Sequence, residues 1–282
     1  MKRTLLMICF LLVIVQFPAL PAIAGKTDPT DLFDFSPLPD SSALMIVRYK
    51  GLEENVLIPD SFNGLPVTAI AEKAFYKCDF LKSVVLPEGV KSTGDYAFWS
   101  CKALPEITLP DTLETIGKWA FVGCDSLKTI RIPALVSMIG DAAFASCKNL
   151  ETIETDAENT VFTSVDGVLL NTATQTLIAY PGNRTSKTYA MPQQVQTIGV
   201  RAFAGSTLQS VALPEGLAAI GESSFYGCEK LQDAVLPRGL KTIGPGAFNG
   251  CRSLLEVSVP ASVESIAPMQ VQTMRPAKVI SS

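Results

Sequence analysis

The chain has 282 residues, 23 Lys plus Arg against 27 Asp plus Glu, a formal net charge of −4, and no histidine. Without histidine, Ser-His-Asp triads, Cys-His dyads and His-ligated metals are excluded. Mild acidity with no basic stripe argues against nucleic acid and anionic membrane as partners.

Residues 1–24 read as a secretory leader. Lys2 and Arg3 form a positive start, Leu5 to Phe17 is apolar, and Pro18 leads into the small-x-small pattern Ala22-Ile23-Ala24. An uncleaved anchor is the alternative, but the apolar run falls short of the ~20 residues of a spanning helix. Cys9 sits inside the run as apolar filling. Removal of Lys2 and Arg3 with the leader takes the net charge from −4 to −6. No later apolar run is long enough to span a bilayer, so no membrane span is expected after cleavage, and the product is expected to be secreted or at the cell surface.

Residues 25–53 lead into a repeating array. Phe75, Phe98, Phe121, Phe144, Phe203, Phe225 and Phe248 mark the same place in successive units of about 23 residues. The unit reads A-F-x-x-C-x-x-L-x-x-[VI]-x-[LI]-P-x-x-[LV]-x-x-[IT]-G, as in Ala97-Phe98, Cys101, Leu104, Ile107, Leu109-Pro110, Leu113 and Ile116-Gly117. That period lies in the leucine-rich-repeat range, where each unit is a strand plus a return segment that cannot bury its apolar face alone. The expected fold is a β-rich leucine-rich-repeat solenoid. It has a parallel sheet with one short strand per 23-residue coil, and turns or helical turns on the return side.

The array is expected at residues 54–153 and 192–266. From each Pro to the following Phe is eleven residues for Pro87, Pro110, Pro133, Pro192, Pro214 and Pro237; from Phe144 to Pro192 is 48, against twelve elsewhere and eleven after Phe203. Residues 154–191 therefore read as an insertion, and its sequence suggests paired strands. Asp166-Gly167 sits between the apolar runs Phe162–Val165 and Val168–Leu170, a hairpin signal, and Thr176-Leu-Ile-Ala-Tyr180 supplies another strand before Pro181-Gly182.

Within a unit, period-two alternation in Leu81-Lys-Ser-Val-Val-Leu-Pro87 sends Val84 and Leu86 inward and Ser83 and Val85 outward. Pro87 and its equivalents end the strand, having no N–H for the ladder. Gly94, Gly117, Gly140, Gly199, Gly221 and Gly244 are expected to supply a positive φ or a tight bend. The Phe residues are expected to stack as an internal spine, each contributing roughly 1.5–3 kcal/mol of burial.

These segments resemble the BspA-like leucine-rich repeats over roughly residues 54–266, and Tyr49-Lys-Gly51, Ile58-Pro59, Gly64-Leu-Pro-Val67 and Ile70 resemble the way that family begins its first coil. The resemblance implies an exported or cell-surface protein that binds a protein ligand, such as a host or extracellular-matrix protein, often within a longer chain. Three places depart from the pattern. Ala202-Phe203-Ala-Gly-Ser-Thr-Leu208 is one residue short and lacks Cys; Gln270-Val271 stand where Ala-Phe is due; and residues 267–282 form an irregular tail without a repeat signature.

Cys78, Cys101, Cys124, Cys147, Cys228 and Cys251 share one repeat position. A column of buried thiols fits this best, since free Cys packs as a small hydrophobe. Bridges between adjacent coils are the alternative for an even number of cysteines in an exported chain, and a metal site lacks the ligand spacing that zinc uses. No cofactor and no catalytic residue is expected. Glu151 and Glu154 read as a solvated strand face. Leu109-Pro-Asp-Thr-Leu113 resembles a sorting signal but lies in register mid-array, and Asn183-Arg184-Thr185, an acceptor pattern for glycosylation, reads as a surface turn.

What varies is the outward strand column: Ser83 and Val85, Glu106 and Thr108, Thr129 and Arg131, Thr152 and Glu154, Ser210 and Ala212, Asp233 and Val235, Glu256 and Ser258. Uniform inward and varied outward positions on a rigid extended sheet suit a non-catalytic, adhesion-type protein-binding surface. A structural spacer within a larger surface protein is the alternative.

Overall fold

The computed structural model describes residues 29–266; the leader expected at 1–24 and the tail at 267–282 lie outside them. The protein is a solenoid of stacked coils whose only helix among the described residues is the single turn Pro29–Leu32.

The expected strand precedes the Pro in most regular coils, as in Ser83–Val85, Thr129–Ile132 and Asp233–Val235, and recurs without a Pro at Thr152–Thr155; at 106–108 it is reduced to a single bridge from Thr108 to Val85. Pairing is parallel and in register by repeat, Thr129 with Thr152 and Ile130 with Ile153. The structure adds a second, shorter strand before the Gly, as in Ser92–Thr93, Thr115–Ile116 and Met138–Ile139, again paired parallel between coils. Side chains alternate as the period requires: Val84, Ile107, Ile130, Ile153, Val211, Ala234 and Val257 are buried while both neighbours of each are not.

The return segment around each Phe has a regular backbone of its own. Tyr96 (φ 57°) and Ser100 (φ 60°) are left-handed on either side of Phe98, and Lys73 with Lys77, Ala142 with Ser146, Arg201 with Gly205 and Gly246 with Gly250 repeat the pattern. Alternating handedness points every second N–H the same way. Tyr96, Phe98 and Ser100 donate to Lys118, Ala120 and Val122 of the next coil, while Ala97, Trp99 and Cys101 donate locally to Gly94, Tyr96 and Phe98. Every N–H of the turn is thus paired without a strand or a helix.

The glycines that recur at one repeat position work differently from expectation. Positive φ falls at the positions flanking Phe and not at Gly94, Gly117, Gly140, Gly199, Gly221 or Gly244. These instead allow backbones to touch. A Cβ on Gly117 would lie 2.3 Å from the carbonyl carbon of Gly94, and one on Gly244 2.5 Å from the amide nitrogen of Glu222.

The spine is present. Phe75, Phe98, Phe121 and Phe144 stack with centroids 5.0, 5.3 and 5.7 Å apart, and Phe203, Phe225 and Phe248 at 4.7 and 5.2 Å. Two tyrosines extend it. Tyr49 stacks on Phe75 at 5.3 Å and Tyr180 on Phe203 at 4.9 Å, and their N–H groups donate to Ala74 and Ala202 as a spine Phe would. Tyr180 therefore stands in the Phe column 23 residues before Phe203, and Pro192 follows it by the usual twelve. Part of residues 154–191 is a further coil, with Thr188–Ala190 paired to Ser210–Ala212 and Thr176–Ala179 to Thr197–Ile198. The remainder is the hairpin Phe162–Val165 with Val168–Asn171, turning at Asp166 (φ 51°) and Gly167 (φ 78°) as the Asp-Gly signal predicts.

The six thiols are all free and buried. Sγ of Cys101, Cys124, Cys147, Cys228 and Cys251 donates to the carbonyl oxygen of Phe75, Phe98, Phe121, Phe203 and Phe225 respectively, at 3.0–3.2 Å. Burial pushes four thiols upward from 9.0, Cys78 to about 11 and Cys147 to about 12, with Cys101 and Cys124 also raised, whereas hydrogen bonding with Cys251 and Ser206 lowers Cys228, and that with Cys228 raises Cys251. In the Phe203 coil, which lacks cysteine, Ser206 occupies the column, buried, with Oγ 3.3 Å from Cys228 Sγ.

Candidate binding surface

The strand column is placed by the alternation just described, each outward residue flanking a buried one. Val85, Glu106, Thr108, Thr129, Arg131, Glu154, Ala212, Asp233, Val235, Glu256 and Ser258 are exposed, and Ser83, Thr152 and Ser210 are half-buried. The pairing brings them into line: Thr129 beside Thr152, Arg131 beside Glu154, Ser210 beside Asp233, Ala212 beside Val235, and Val85 bridged to Thr108. Glu256 and Ser258 lie in an extended segment that forms no strand.

Four further residues belong to the column. Asn55 and Leu57 pair with Ser83 and Val85, and Thr188 and Ala190 with Ser210 and Ala212. The strand at Asn55 precedes the first Phe, and the strand at Thr188 follows a spine residue that is Tyr, so neither carries the Ala-Phe marker. Their alternating exposure, as in Thr188-Tyr189-Ala190, is the signal that would have found them.

Chemically the column is divided. Its first coils present apolar surface, Leu57 at 58% and Val85 at 37% exposure, beside the Ser83 Oγ to Asn55 Oδ1 hydrogen bond of 2.8 Å. In the middle, Arg131 is held by Asp111 at 3.4 Å and by Asp156. The guanidinium is therefore already matched, and Glu106 and Glu154 form no ion pair among the described residues. Toward the C-terminal coils a shallow depression of about 400 Å³ is lined by Ser210, Ala212, Asp233 and Val235, with Glu215 and Arg238 beside them. Val235 is 78% exposed there. No group of three His, Cys, Asp or Glu among the described residues is arranged to hold a metal ion.

A family profile described as BspA type leucine-rich repeat region matches residues 68–185 and 178–272, in six copies. The chain belongs to the BspA-type leucine-rich-repeat proteins. Solved bacterial structures share the fold. A leucine-rich repeat protein from Eubacterium ventriosum is 23% identical, with TM-score 0.64 over 82% of this chain and 73% of that one. The pneumococcal vaccine antigen PcpA is 22% identical, with TM-score 0.55 over 83% and 67%. A leucine-rich repeat protein from Bacteroides ovatus is 24% identical, with TM-score 0.52 over 81% and 64%. No curated protein matches the chain. Among the described residues no helix of this BspA-type protein is long and apolar enough to cross a membrane.

Proposed function

We propose that this BspA-type chain is an exported or cell-surface, non-catalytic binding module whose protein ligand, a host or extracellular-matrix protein, lies across the outward strand column. The observation that carries this reading is the contrast within each strand: one buried apolar residue, nearly uniform from coil to coil, between two solvent-facing residues that vary in size, charge and polarity. A row of parallel strands keeps the varied residues at a fixed spacing of about 4.8 Å per coil, a preorganised surface that binds without ordering cost. The leader-like residues 1–24 support export. The absence of histidine from the sequence supports a role without acid–base or nucleophilic chemistry.

The test uses the chain lacking its leader, immobilised and challenged with purified extracellular-matrix and cell-surface proteins. Glu154→Lys and Val235→Asp, both on exposed positions, should each reduce capture at least tenfold while leaving the melting temperature within a degree or two. Lys118→Glu, on the return segment, should change neither. Binding lost through Lys118→Glu and retained in both column variants would move the ligand to the opposite wall. Failure of every protein to bind would favour a spacer role.

A further inference from the structure

The hairpin at Phe162–Asn171 separates two apolar cores. Its second strand is buried on both sides: Leu169 belongs to the first core with Phe144 and Ile153, and Val168 and Leu170 belong to the second with Phe203 and Val211. Phe162 faces the first core and Leu177 the second. Ladder and spine break at the same place. The sheet of short strands ends at Met138–Ile139 and a new one starts at the hairpin, and Phe144 has no ring contact with Tyr180 among the described residues.

The second stack also begins as the first does. At the N-terminus, Phe33–Pro37 pairs antiparallel with Leu44–Tyr49, which pairs parallel with Leu65–Ile70 and delivers Tyr49 to the head of the spine. At the junction, Val168–Asn171 pairs antiparallel with Thr176–Ala179, which pairs parallel with Thr197–Ile198 and delivers Tyr180. The same order of parts opens each core.

We propose that the Phe162–Ala179 segment is an internal cap that divides the array into two cooperative units, residues 33–161 and 176–266, either of which can unfold while the other stays folded. In a repeat protein, stability is a sum of coil terms and neighbour-interface terms. A boundary at which the spine and both ladders are interrupted is where cooperativity is weakest. Across it runs a tie on the return wall. The Arg201 guanidinium lies 4.8 Å from the Trp119 ring and 4.6 Å from that of Tyr226, and Ser146 N–H donates to Ala204 at 3.3 Å. The small side chains of Ala142, Ala145 and Ala204 pack beneath Trp119. Arg201 is the side chain that couples the units on this wall, beside the Asn183 N–H bond to the Leu150 carbonyl at 2.8 Å and the packing of Ala179 into the first core.

The experiment is native-state hydrogen exchange read by mass spectrometry on the whole chain without its leader, in low denaturant. Phe225→Ala should speed exchange at residues 197–266 by at least about a hundredfold and leave 65–153 within about threefold. Phe98→Ala should do the reverse. Ile243→Val serves as the milder variant should Phe225→Ala leave the second unit unfolded, and persistent protection of 65–153 is the expected result in either case. Arg201→Ala should bring the two opening rates further apart without exposing either core. Equal acceleration of both regions by Phe225→Ala and by Ile243→Val would overturn the proposal, as would a single shared exchange rate in the unsubstituted chain.

Discussion

Cys124 Sγ donates to the carbonyl oxygen of Phe98 in the preceding coil across 3.2 Å. The contact gives the thiol column a physical reason beyond volume. Left-handed residues on either side of Phe98 turn its carbonyl toward the interior side of the coil, where only a small buried donor can reach it. Ser206, which replaces Cys in the Phe203 coil, is also small and buried, with its hydroxyl against Cys228 Sγ.

From this follows a reactivity pattern. The chain without its leader should titrate six thiol equivalents when denatured without reductant, and only slowly when native. Cys78, at 8% exposure the least buried of the six, should react first. Two or more equivalents appearing only after reduction would contradict a free thiol column.

The same burial sets an alkaline limit. Thiols raised in the folded state contribute stability that is fully present below the unfolded value of about 8.5. That contribution is lost as pH rises through about 11 for Cys78 and about 12 for Cys147. Melting temperature should hold between about pH 6 and 8 and fall above about pH 9. Cys147→Ser should make the fall shallower, because its hydroxyl does not ionise there.

Phe121 is fully buried between Phe98 and Phe144. Phe121→Ala should leave a cavity and cost about 3–5 kcal/mol, measured by chemical denaturation. An unchanged midpoint would place the ring outside the spine.

Gly117→Ala should be severe for its size, because the added Cβ would meet the Gly94 backbone at 2.3 Å and the coil spacing cannot relax at one place alone. A loss of more than about 2 kcal/mol is expected, in the range of overpacked cores. Gly216→Ala, whose nearest atom would be 3.8 Å away, should stay within about 0.5 kcal/mol. Similar melting temperatures for the two variants would refute the close-approach account.

Ser146 holds φ 58° at a position where Gly205, Gly227 and Gly250 stand in later coils. Ser146→Gly should relieve left-handed strain and be neutral to stabilising by up to about 1 kcal/mol, net of the added chain entropy of Gly. A clear destabilisation would show that the Ser side chain matters more than its backbone.

Arg131 shows why the charge on a strand column cannot be judged from the column alone. Arg131→Gln removes its pairs with Asp111 and Asp156, and at this exposure the loss should be about 1 kcal/mol or less and shrink with added salt. A salt-independent loss of several kcal/mol would mean a buried network.

The spacing of Phe and Pro and the alternation in Leu81–Pro87 were enough to find the coils, the inward face and the outward column, because each rests on one short-range period. Tyr180 escaped because its unit has Tyr for Phe and Pro-Gly-Asn where x-x-Cys is due. The second strand escaped because two residues carry no alternation. The left-handed turn positions escaped because Lys73, Tyr96, Trp119 and Arg201 have no intrinsic preference for that conformation. The ties of Arg131 come from turns 20 and 25 residues away, and only the stacking of coils reveals them.

Because the backbone bonds of a regular coil such as that of Phe98 run to the coils immediately before and after it, a whole coil is the natural step by which the chain can change length. Excising residues 99–121 would set Val122 directly after Phe98 and leave the ladders, spine and thiol column continuous. A one-residue loss is tolerated where a turn absorbs it, as in the 22-residue unit from Phe203 to Phe225, across which the rings still stack at 4.7 Å and Ser210 still pairs with Asp233. Tandem duplication or loss of whole coils is thus permitted by the geometry, and chains that differ by whole coils can keep the same surface displaced along the rod.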